Sequence, residues 1–259
     1  MEQLSKNKLR QLAAYRIQKR CDEEGLFVVE GPKLSMEALT SGFVVRVVCA
    51  TEVFWAGHPD IGLSEGSEAF VVSQEQLERL SNQRSPNRVW VLLERKRDEA
   101  SLLPRGAALT LALDGLQDPG NMGTILRIAD WYGIRDVVCS RDTVSAYNPK
   151  VVQASMGAVF RTRFRYTELA EWIKEAAVRG AAVYGAFLGG EDIYRAELES
   201  PAVLVIGNEG NGIRPEVAES ITRRVTIPNP GGTAESLNAA VATAILCSEF
   251  YRYISLDIR

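Results

Sequence analysis

Short apolar runs alternate with segments of helical periodicity along almost the whole chain. Apolar or β-branched runs of about four to eight residues predict buried strands, and apolar residues three and four positions apart predict amphipathic helices. Strands are predicted at residues 27–29, 44–49, 69–72, 88–93, 109–113, 136–139, 162–164, 181–187, 203–206 and 225–227. Helices are predicted at residues 4–20, around Met36 and Leu39, after a capping box at Ser73 and Gln76, and at 124–132, 151–156, 168–179 and 236–254. This alternation predicts an α/β fold, whose second half is a parallel sheet with ligands at the carboxyl ends of its strands.

A stretch of mixed charges that contains Pro104 and Gly106 separates two regular regions of the chain. Proline and glycine among charged residues are typical of a linker. The sequence therefore predicts an α/β domain at residues 1–95, a linker at 96–107 and a second domain at 108–259.

The composition is that of a globular protein, since 46% of the 259 residues are hydrophobic and 24% are charged. No apolar run reaches the roughly 18 residues of a membrane helix, and residues 1–12 are typical of a polar helix rather than a secretion signal. We therefore expect a cytoplasmic protein without a membrane partner. Cys21, Cys49, Cys139 and Cys247 lack the paired spacing of a metal or disulfide site, so buried thiols are expected and no metal is predicted.

The net charge of -3 taken alone argues against a nucleic-acid partner. Its distribution changes that picture, because residues 1–20 carry six basic side chains and one acidic one, and residues 79–97 carry the same numbers. Residues 21–78 carry two basic and eleven acidic side chains. The basic ends of the first domain predict either an RNA-binding surface or solvated helix and linker faces.

Two of the predicted strands of the second domain run into glycine-rich loops. Residues 203–206 break into Gly207-Asn208-Glu209-Gly210-Asn211-Gly212, and residues 225–227 lead into Pro228-Asn229-Pro230-Gly231-Gly232. Glycines allow the main chain to approach a ligand closely. Ser236-Leu237-Asn238 then opens a long apolar helix, with Ser236 as the expected N-cap. Two such loops and a helix start predict a ligand site.

The order of these parts, together with the upstream segment Asp118-Pro119-Gly120-Asn121-Met122-Gly123-Thr124-Ile125-Leu126-Arg127, resembles the three motifs of the SpoU (TrmH-like) RNA ribose 2′-O-methyltransferases of the SPOUT superfamily. The resemblance implies a parallel-sheet catalytic domain tied in a deep trefoil knot, S-adenosylmethionine as cofactor and a homodimer paired through that domain. It also implies that the first domain, notably at Phe27-Val28-Val29-Glu30-Gly31, is a small ribosomal-protein-like α/β domain that binds the RNA substrate.

The resemblance also assigns the residues of the site. It implies cofactor contacts by the loops that contain Gly207, Gly212, Ile227, Pro228 and Leu237. It implies catalytic roles for Asn121, Arg127, Glu209, Ser236 and Asn238. Arginine stays protonated in proteins, so Arg127 is better suited to gripping a phosphate and stabilising an alkoxide than to accepting a proton.

Structural roles remain open for several of these residues. Arg127 could form a structural ion pair or be held by Glu209, while Ile227 and Leu237 could be core residues. Glycine at 207 is expected to leave space for the adenosine, so Gly207→Val should abolish cofactor binding and preserve the fold.

Two residues outside the motifs are assigned structural or incidental roles. Glu30 could contact RNA, but a structural role is favoured. His58 is the only histidine and is expected to be incidental, which argues against histidine-based acid–base catalysis.

The function expected from the resemblance is methylation of a ribose 2′-hydroxyl in structured RNA, with ribosomal RNA favoured over transfer RNA because of the separate first domain. Asn229-Pro230 departs from the family, where methionine commonly follows Ile-Pro, and the loop is one residue longer. Alternatives are a transfer-RNA methyltransferase, a catalytically silent RNA-binding SPOUT protein, and a dinucleotide-dependent oxidoreductase. The oxidoreductase is disfavoured, because no acidic residue ends a strand about 20 positions after the glycines, as binding of a cofactor ribose would require.

Overall fold

The computed structural model describes residues 2–63, 65–96, 102–104 and 108–257. The chain divides into two compact units, one made of Met1–Arg97 with Tyr147–Phe160, the other of Asp98–Ala146 with Arg161–Arg259. Most of the predicted linker at 96–107 lies outside the described residues. The predicted domain limits, 1–95 and 108–259, therefore stay predictions.

The elements alternate as the apolar pattern predicts. Those of the first 96 residues are β1 (Glu2–Gln3), α1 (Lys6–Ala13), α2 (Gln18–Glu24), β2 (Leu26–Glu30), α3 (Pro32–Thr40), β3 (Val45–Ala50), α4 (Glu52–Gly57), β4 (Glu68–Val71), α5 (Gln74–Leu80) and β5 (Val89–Glu94). Those that follow are β6 (Leu109–Leu113), α6 (Pro119–Trp131), β7 (Asp136–Ser140), α7 (Pro149–Ser155), β8 (Arg163–Thr167), α8 (Leu169–Val178), β9 (Ala182–Asp192), β10 (Ala202–Ile206), α9 (Pro215–Ala218), β11 (Arg223–Thr226) and α10 (Ala239–Asp257).

The first unit contains a mixed sheet of order β1-β4-β3-β5-β2, in which β5 is antiparallel to both of its neighbours. The helix predicted at 4–20 is interrupted, because α1 ends at Ala13 and the extended residue Ile17 precedes α2. Leu12 and Cys21 both lie in the core of this unit. In one continuous helix, nine residues would turn them to opposite faces. The break lets both side chains reach the core.

Glu30 has the structural role that the sequence favoured. Its carboxylate is 6% exposed and accepts hydrogen bonds from the Ser81 hydroxyl and the Asn82 amide, just beyond α5. Burial raises the pKa of this carboxyl, and the Ser81 hydrogen bond opposes the rise. His58 stacks on Phe54 at the end of α4, with ring centroids 4.5 Å apart, so its contacts are structural as well.

The segment Tyr147–Phe160 completes the first unit. Its α7 packs on β2, and the Tyr147 and Phe27 ring centroids lie 4.7 Å apart. The Phe160 and Phe43 rings lie 5.7 Å apart in an edge-on arrangement. These four rings form one aromatic cluster that joins residues distant in the sequence.

The second unit contains a six-stranded sheet of order β11-β9-β10-β6-β7-β8. Every pair of neighbouring strands in it is parallel, so the predicted parallel sheet is confirmed. Strands β6 and β10 are buried throughout, which explains their continuous apolar sequences. The trefoil knot stays a prediction.

The chain changes direction across this sheet at β6, which has β7 on one side and β10 on the other. Ligands of open parallel sheets bind at such a point, beyond the carboxyl ends of the strands. Asp114 follows β6, and its amide donates to the Ile206 carbonyl at the end of β10 at 2.9 Å. The two loops that carry the first and second motifs therefore start side by side.

The described residues contain no helix that is both long and apolar enough to cross a membrane. All four cysteines are buried thiols, as predicted.

Candidate active site

The first motif begins its helix earlier than predicted. Helix α6 starts at Pro119 instead of residue 124, because the Asp118 carboxylate caps it by accepting from the Asn121 amide at 2.7 Å. Proline at the first helical position has no amide to satisfy, so Asp118 followed by Pro119 is a start signal that sequence analysis could have used. Asn121 consequently lies in the first turn of α6.

Asn121 joins all three motifs through its side chain. Its Nδ2 donates to Glu209 Oε1 at 2.9 Å, and its Oδ1 accepts from Asn238 Nδ2 at 2.8 Å. A carboxamide can donate and accept at the same time, which is the property this central position requires. Three of the five predicted catalytic residues are thus linked in one hydrogen-bonded chain.

The glycine loop of the second motif is a tight turn in which Asn208 and Gly212 exchange two main-chain hydrogen bonds of 2.9 Å. A Cβ atom at Gly207 would lie 2.3 Å from the Gly212 carbonyl carbon and 2.5 Å from the Ile213 nitrogen. Glycine at 207 therefore makes room for the protein's own main chain. The expectation that Gly207→Val preserves the fold is wrong for this reason.

The loop of the third motif is exposed along its whole length, from Pro228 to Asn238. Asn229 lies at the position where the sequence departs from the family. It stabilises a turn in the first half of the loop, because its Oδ1 accepts from the amides of Gly231 and Gly232 at 3.1 and 2.7 Å. The departure thus replaces an apolar side chain with one that organises the turn.

Helix α10 begins at Ala239, and Asn238 caps it. The Asn238 Oδ1 atom accepts from the amides of Ala240 and Val241 at 2.9 and 3.3 Å. The prediction that Ser236 is the N-cap is therefore wrong. Both residue types favour caps, and only the tertiary structure decides which of them lies at the helix start.

Arg127 lies on α6, six residues beyond Asn121, with an exposed side chain. It forms no ion pair or side-chain hydrogen bond with any residue that the structure describes. Glu209, which could have held Arg127, accepts from Asn121 instead. Neither the structural ion pair nor the Glu209 contact is thus found in the described part of the chain.

A comparison of the sequence with models of known protein families shows which family the chain belongs to. Residues 108–248, which contain the sheet of the second unit and all three motifs, match the model of the SpoU rRNA methylase family. The chain belongs to the SpoU rRNA methylase family. Residues 6–90 of this SpoU methylase match a second model, the MRM3-like substrate binding domain.

Curated relatives of this SpoU methylase are bacterial enzymes. The 23S rRNA (guanosine(2553)-2′-O)-methyltransferase RlmP of Bacillus subtilis is 29% identical over 85% of this chain and 86% of its own length. The 23S rRNA (guanosine-2′-O-)-methyltransferase RlmB of Ralstonia nicotianae is 37% identical, over 58% of this chain and 61% of its own length.

Solved structures similar to this SpoU methylase match both units. A protein assigned to the TrmH family of RNA methyltransferases, from Porphyromonas gingivalis, is 40% identical with a TM-score of 0.87, over 96% of this chain and 98% of that one. An AdoMet-bound rRNA methyltransferase from Sinorhizobium meliloti is 27% identical with a TM-score of 0.84, over 98% and 97% of the two chains. The predictions of a SpoU-type RNA methyltransferase and of S-adenosylmethionine as its cofactor are confirmed.

The residues at the carboxyl edge of the sheet fit an adenosine group. Strands β10, β9 and β11 are neighbours, so the loops that follow them meet at one edge. Leu237 is 48% exposed and Ile227 is half-buried, so neither is a plain core residue. Exposed apolar side chains beside glycine-rich main chain are suited to holding a purine ring.

A further part of this edge was missed by sequence analysis. The pairing of β9 with β11 jumps from Gly185–Arg224 to Glu191–Val225, so residues 186–190 form a bulge in β9 at this register shift. Leu188 in this segment is 78% exposed, and its carbonyl accepts from the Thr226 hydroxyl at 3.2 Å. An apolar strand sequence does not reveal such a bulge, because the extra residues depend on the neighbouring strand.

Proposed function

We propose that this protein methylates a ribose 2′-hydroxyl in ribosomal RNA. The observation that carries the proposal is the hydrogen-bonded chain Glu209–Asn121–Asn238, which brings the three motifs together beside the carboxyl edge of the sheet. Arg127, on the same helix as Asn121, remains available for the substrate.

When bound, S-adenosylmethionine would supply an electrophilic methyl group to the ribose oxygen. The sulfur would leave as the thioether S-adenosylhomocysteine, and the hydroxyl proton would pass to water. The main chain around Gly207, Gly212 and Pro228, with the side chains of Ile227 and Leu237, holds its adenosine. Asn121 and Asn238 orient the ribose, and Ser236 lies in the same exposed loop. Fixed positions of both reactants lower the barrier by removing the entropy cost of bringing them together.

Arg127 grips the phosphate next to the target ribose. A guanidinium binds a phosphate through two parallel hydrogen bonds and keeps its charge at any physiological pH. The same charge stabilises the negative oxygen that develops as the hydroxyl loses its proton. Glu209 holds Asn121 in position.

Ribosomal RNA is the proposed substrate because the chain carries a separate unit that matches a substrate-binding domain, and because curated relatives are named for 23S rRNA. Exposed basic side chains on α1 and in the loop after α5 give this unit the charge that RNA requires: Lys6, Arg10, Arg84 and Arg88. Such a substrate also supports a cytoplasmic location.

A homodimer paired through the second unit is part of the proposal. Helices α6 and α10 expose large apolar side chains, since Trp131 is 83%, Val241 49% and Tyr251 55% exposed. Large apolar patches on a surface are typical of interaction sites.

The test is methyl transfer from tritiated S-adenosylmethionine to ribosomal RNA and to transfer RNA, both from a strain that lacks the enzyme. We expect label in ribosomal RNA only, recovered as a 2′-O-methylnucleoside after nuclease digestion. Label in transfer RNA alone would replace the proposed substrate. No label in either RNA, with RNA binding intact, would favour the catalytically silent protein.

A further inference from the structure

The glycine loop is attached to the sheet by an ion pair between a buried carboxylate and a partly exposed guanidinium, and this pair takes no part in the proposed chemistry. Asp114 is fully buried at 0% exposure, at the carboxyl end of β6. Its Oδ2 accepts from the Arg214 amide at 2.8 Å, and its Oδ1 accepts from Arg214 Nε at 2.8 Å and Nη2 at 2.5 Å. Arg214 lies 100 residues further along the chain, two residues after Gly212 at the end of the glycine loop. The pair therefore connects the first motif's strand to the second motif's loop.

The first part of the glycine loop, at Asn208, is attached to Gly115, the residue that follows Asp114. Asn208 Nδ2 donates to the Gly115 carbonyl at 2.7 Å, while Asn208 Oδ1 accepts from the Gly210 and Asn211 amides at 2.9 and 3.1 Å. Two consecutive residues, Asp114 and Gly115, thus hold both ends of the loop. Only residues 209–213 lie between these attachments, and Glu209 among them reaches Asn121.

The electrostatics favour a single position of the loop. A fully buried carboxylate is costly without partners, so Asp114 strongly favours the arrangement in which Arg214 supplies all three hydrogen bonds. The pKa of Arg214 is raised, mainly by its hydrogen bonds to Asp114. Asp142 adds a weaker contact to the same guanidinium at 3.5 Å.

We propose that Asp114 and Arg214 are positioning residues for methyl transfer, which fix the glycine loop so that its main chain meets the cofactor and Glu209 meets Asn121. The inference rests on the proposed function and assigns a role to two residues outside the catalytic set. It predicts that the pair controls cofactor affinity, beyond its contribution to folding.

A matched control is available in the same sheet. Asp136 and Arg163 form a two-bond ion pair of 2.6 and 2.8 Å between the first residues of β7 and β8, at the amino edge. Breaking this pair removes two side-chain hydrogen bonds from the same unit, at a carboxylate that is 19% exposed, without touching the glycine loop. The two pairs therefore separate a loss of stability from a loss of positioning.

The experiment compares Asp114→Asn with Asp136→Asn in the full chain. Calorimetry measures the Kd for S-adenosylhomocysteine, and kinetics measure the KM for S-adenosylmethionine. We expect Asp114→Asn to raise both by roughly tenfold or more, since small displacements of binding groups are costly, and Asp136→Asn to change them less than about twofold. Hydrogen exchange should speed up at the amides of residues 208–214 only in Asp114→Asn.

Arg214→Lys provides the same readout should Asp114→Asn fail to fold. Lysine keeps the charge but lacks the fork that contacts Asp114, so we expect an intermediate loss of affinity. Unchanged affinity and KM in the folded variants would overturn the positioning role, even with a lowered melting temperature. A wild-type protein that does not bind S-adenosylhomocysteine would instead contradict the proposed function.

Discussion

Arg127 is the proposed phosphate-binding residue, and its surroundings in the described part of the chain show no structural role for its side chain. It is exposed on α6 and pairs with no carboxylate among the residues that the structure describes. Its loss should therefore affect the reaction and leave the fold intact.

We expect Arg127→Ala to reduce kcat by roughly 100-fold or more, because a charge that stabilises the developing oxyanion is removed. The Kd for S-adenosylhomocysteine and the melting temperature should stay close to wild type. Arg135→Ala is the matched control, since Arg135 is also exposed and follows α6 closely. Equal activity of the two variants in single-turnover methyl transfer would remove Arg127 from the mechanism.

The motifs indicate candidate site residues but not how their side chains pair. Asn121, Glu209 and Asn238 come from motifs, whereas their hydrogen bonds depend on three loops that meet only in the folded sheet. The Asp114–Arg214 pair has no sequence signal at all, because the two residues are 100 positions apart and each is unremarkable in its own segment.

At the scale of an element, the start of α10 also depends on the tertiary structure, because Ser236 and Asn238 are both residue types that favour helix caps. Asn238→Ala should lower the free energy of unfolding by ~1 kcal/mol, because a capping residue is lost. Ser236→Ala should leave it unchanged, because Ser236 lies three residues before the first residue of the helix and is exposed. The free energies of unfolding of the two variants in urea show which of the two residues caps the helix. A larger loss for Ser236→Ala would restore the earlier cap assignment.

The glycine loop offers a second matched pair. Gly207→Ala should destabilise the protein by about 1–3 kcal/mol, because its Cβ would press on the main chain at residues 212 and 213. Gly210→Ala should cost far less, since the nearest atom to its Cβ, Asn208 Oδ1, is 3.6 Å away. Similar urea midpoints for both variants would contradict the packing account.

The order of the predicted elements matches the structure better than their limits do, and β1, α4 and α9 were not predicted. The start of α6 at Pro119 could have been found from sequence, as Asp118-Pro119 is a start signal. The break between α1 and α2 could not have been found from sequence, because it depends on the packing of both Leu12 and Cys21 into one core. Residues 186–190 escaped detection because a bulge is set by the partner strand.

At the scale of the molecule, the dimer is the prediction with the clearest test. Trp131→Glu should convert a dimer of this 28.5 kDa chain to monomers, because it places a charge in the proposed contact. Val178→Glu should remain dimeric, since Val178 is equally exposed, at 87%, but lies at the end of α8. Light scattering at micromolar concentration measures both. A monomeric wild-type protein would contradict the proposal directly.

The most direct measurement of the central claim is a crystal structure of the full chain with S-adenosylhomocysteine. The proposal predicts the adenosine at the carboxyl edge of β9, β10 and β11, with its purine against Ile227 and Leu237 and its ribose near the main chain of Gly207. A ligand bound elsewhere at saturating concentration, or an empty edge, would contradict it.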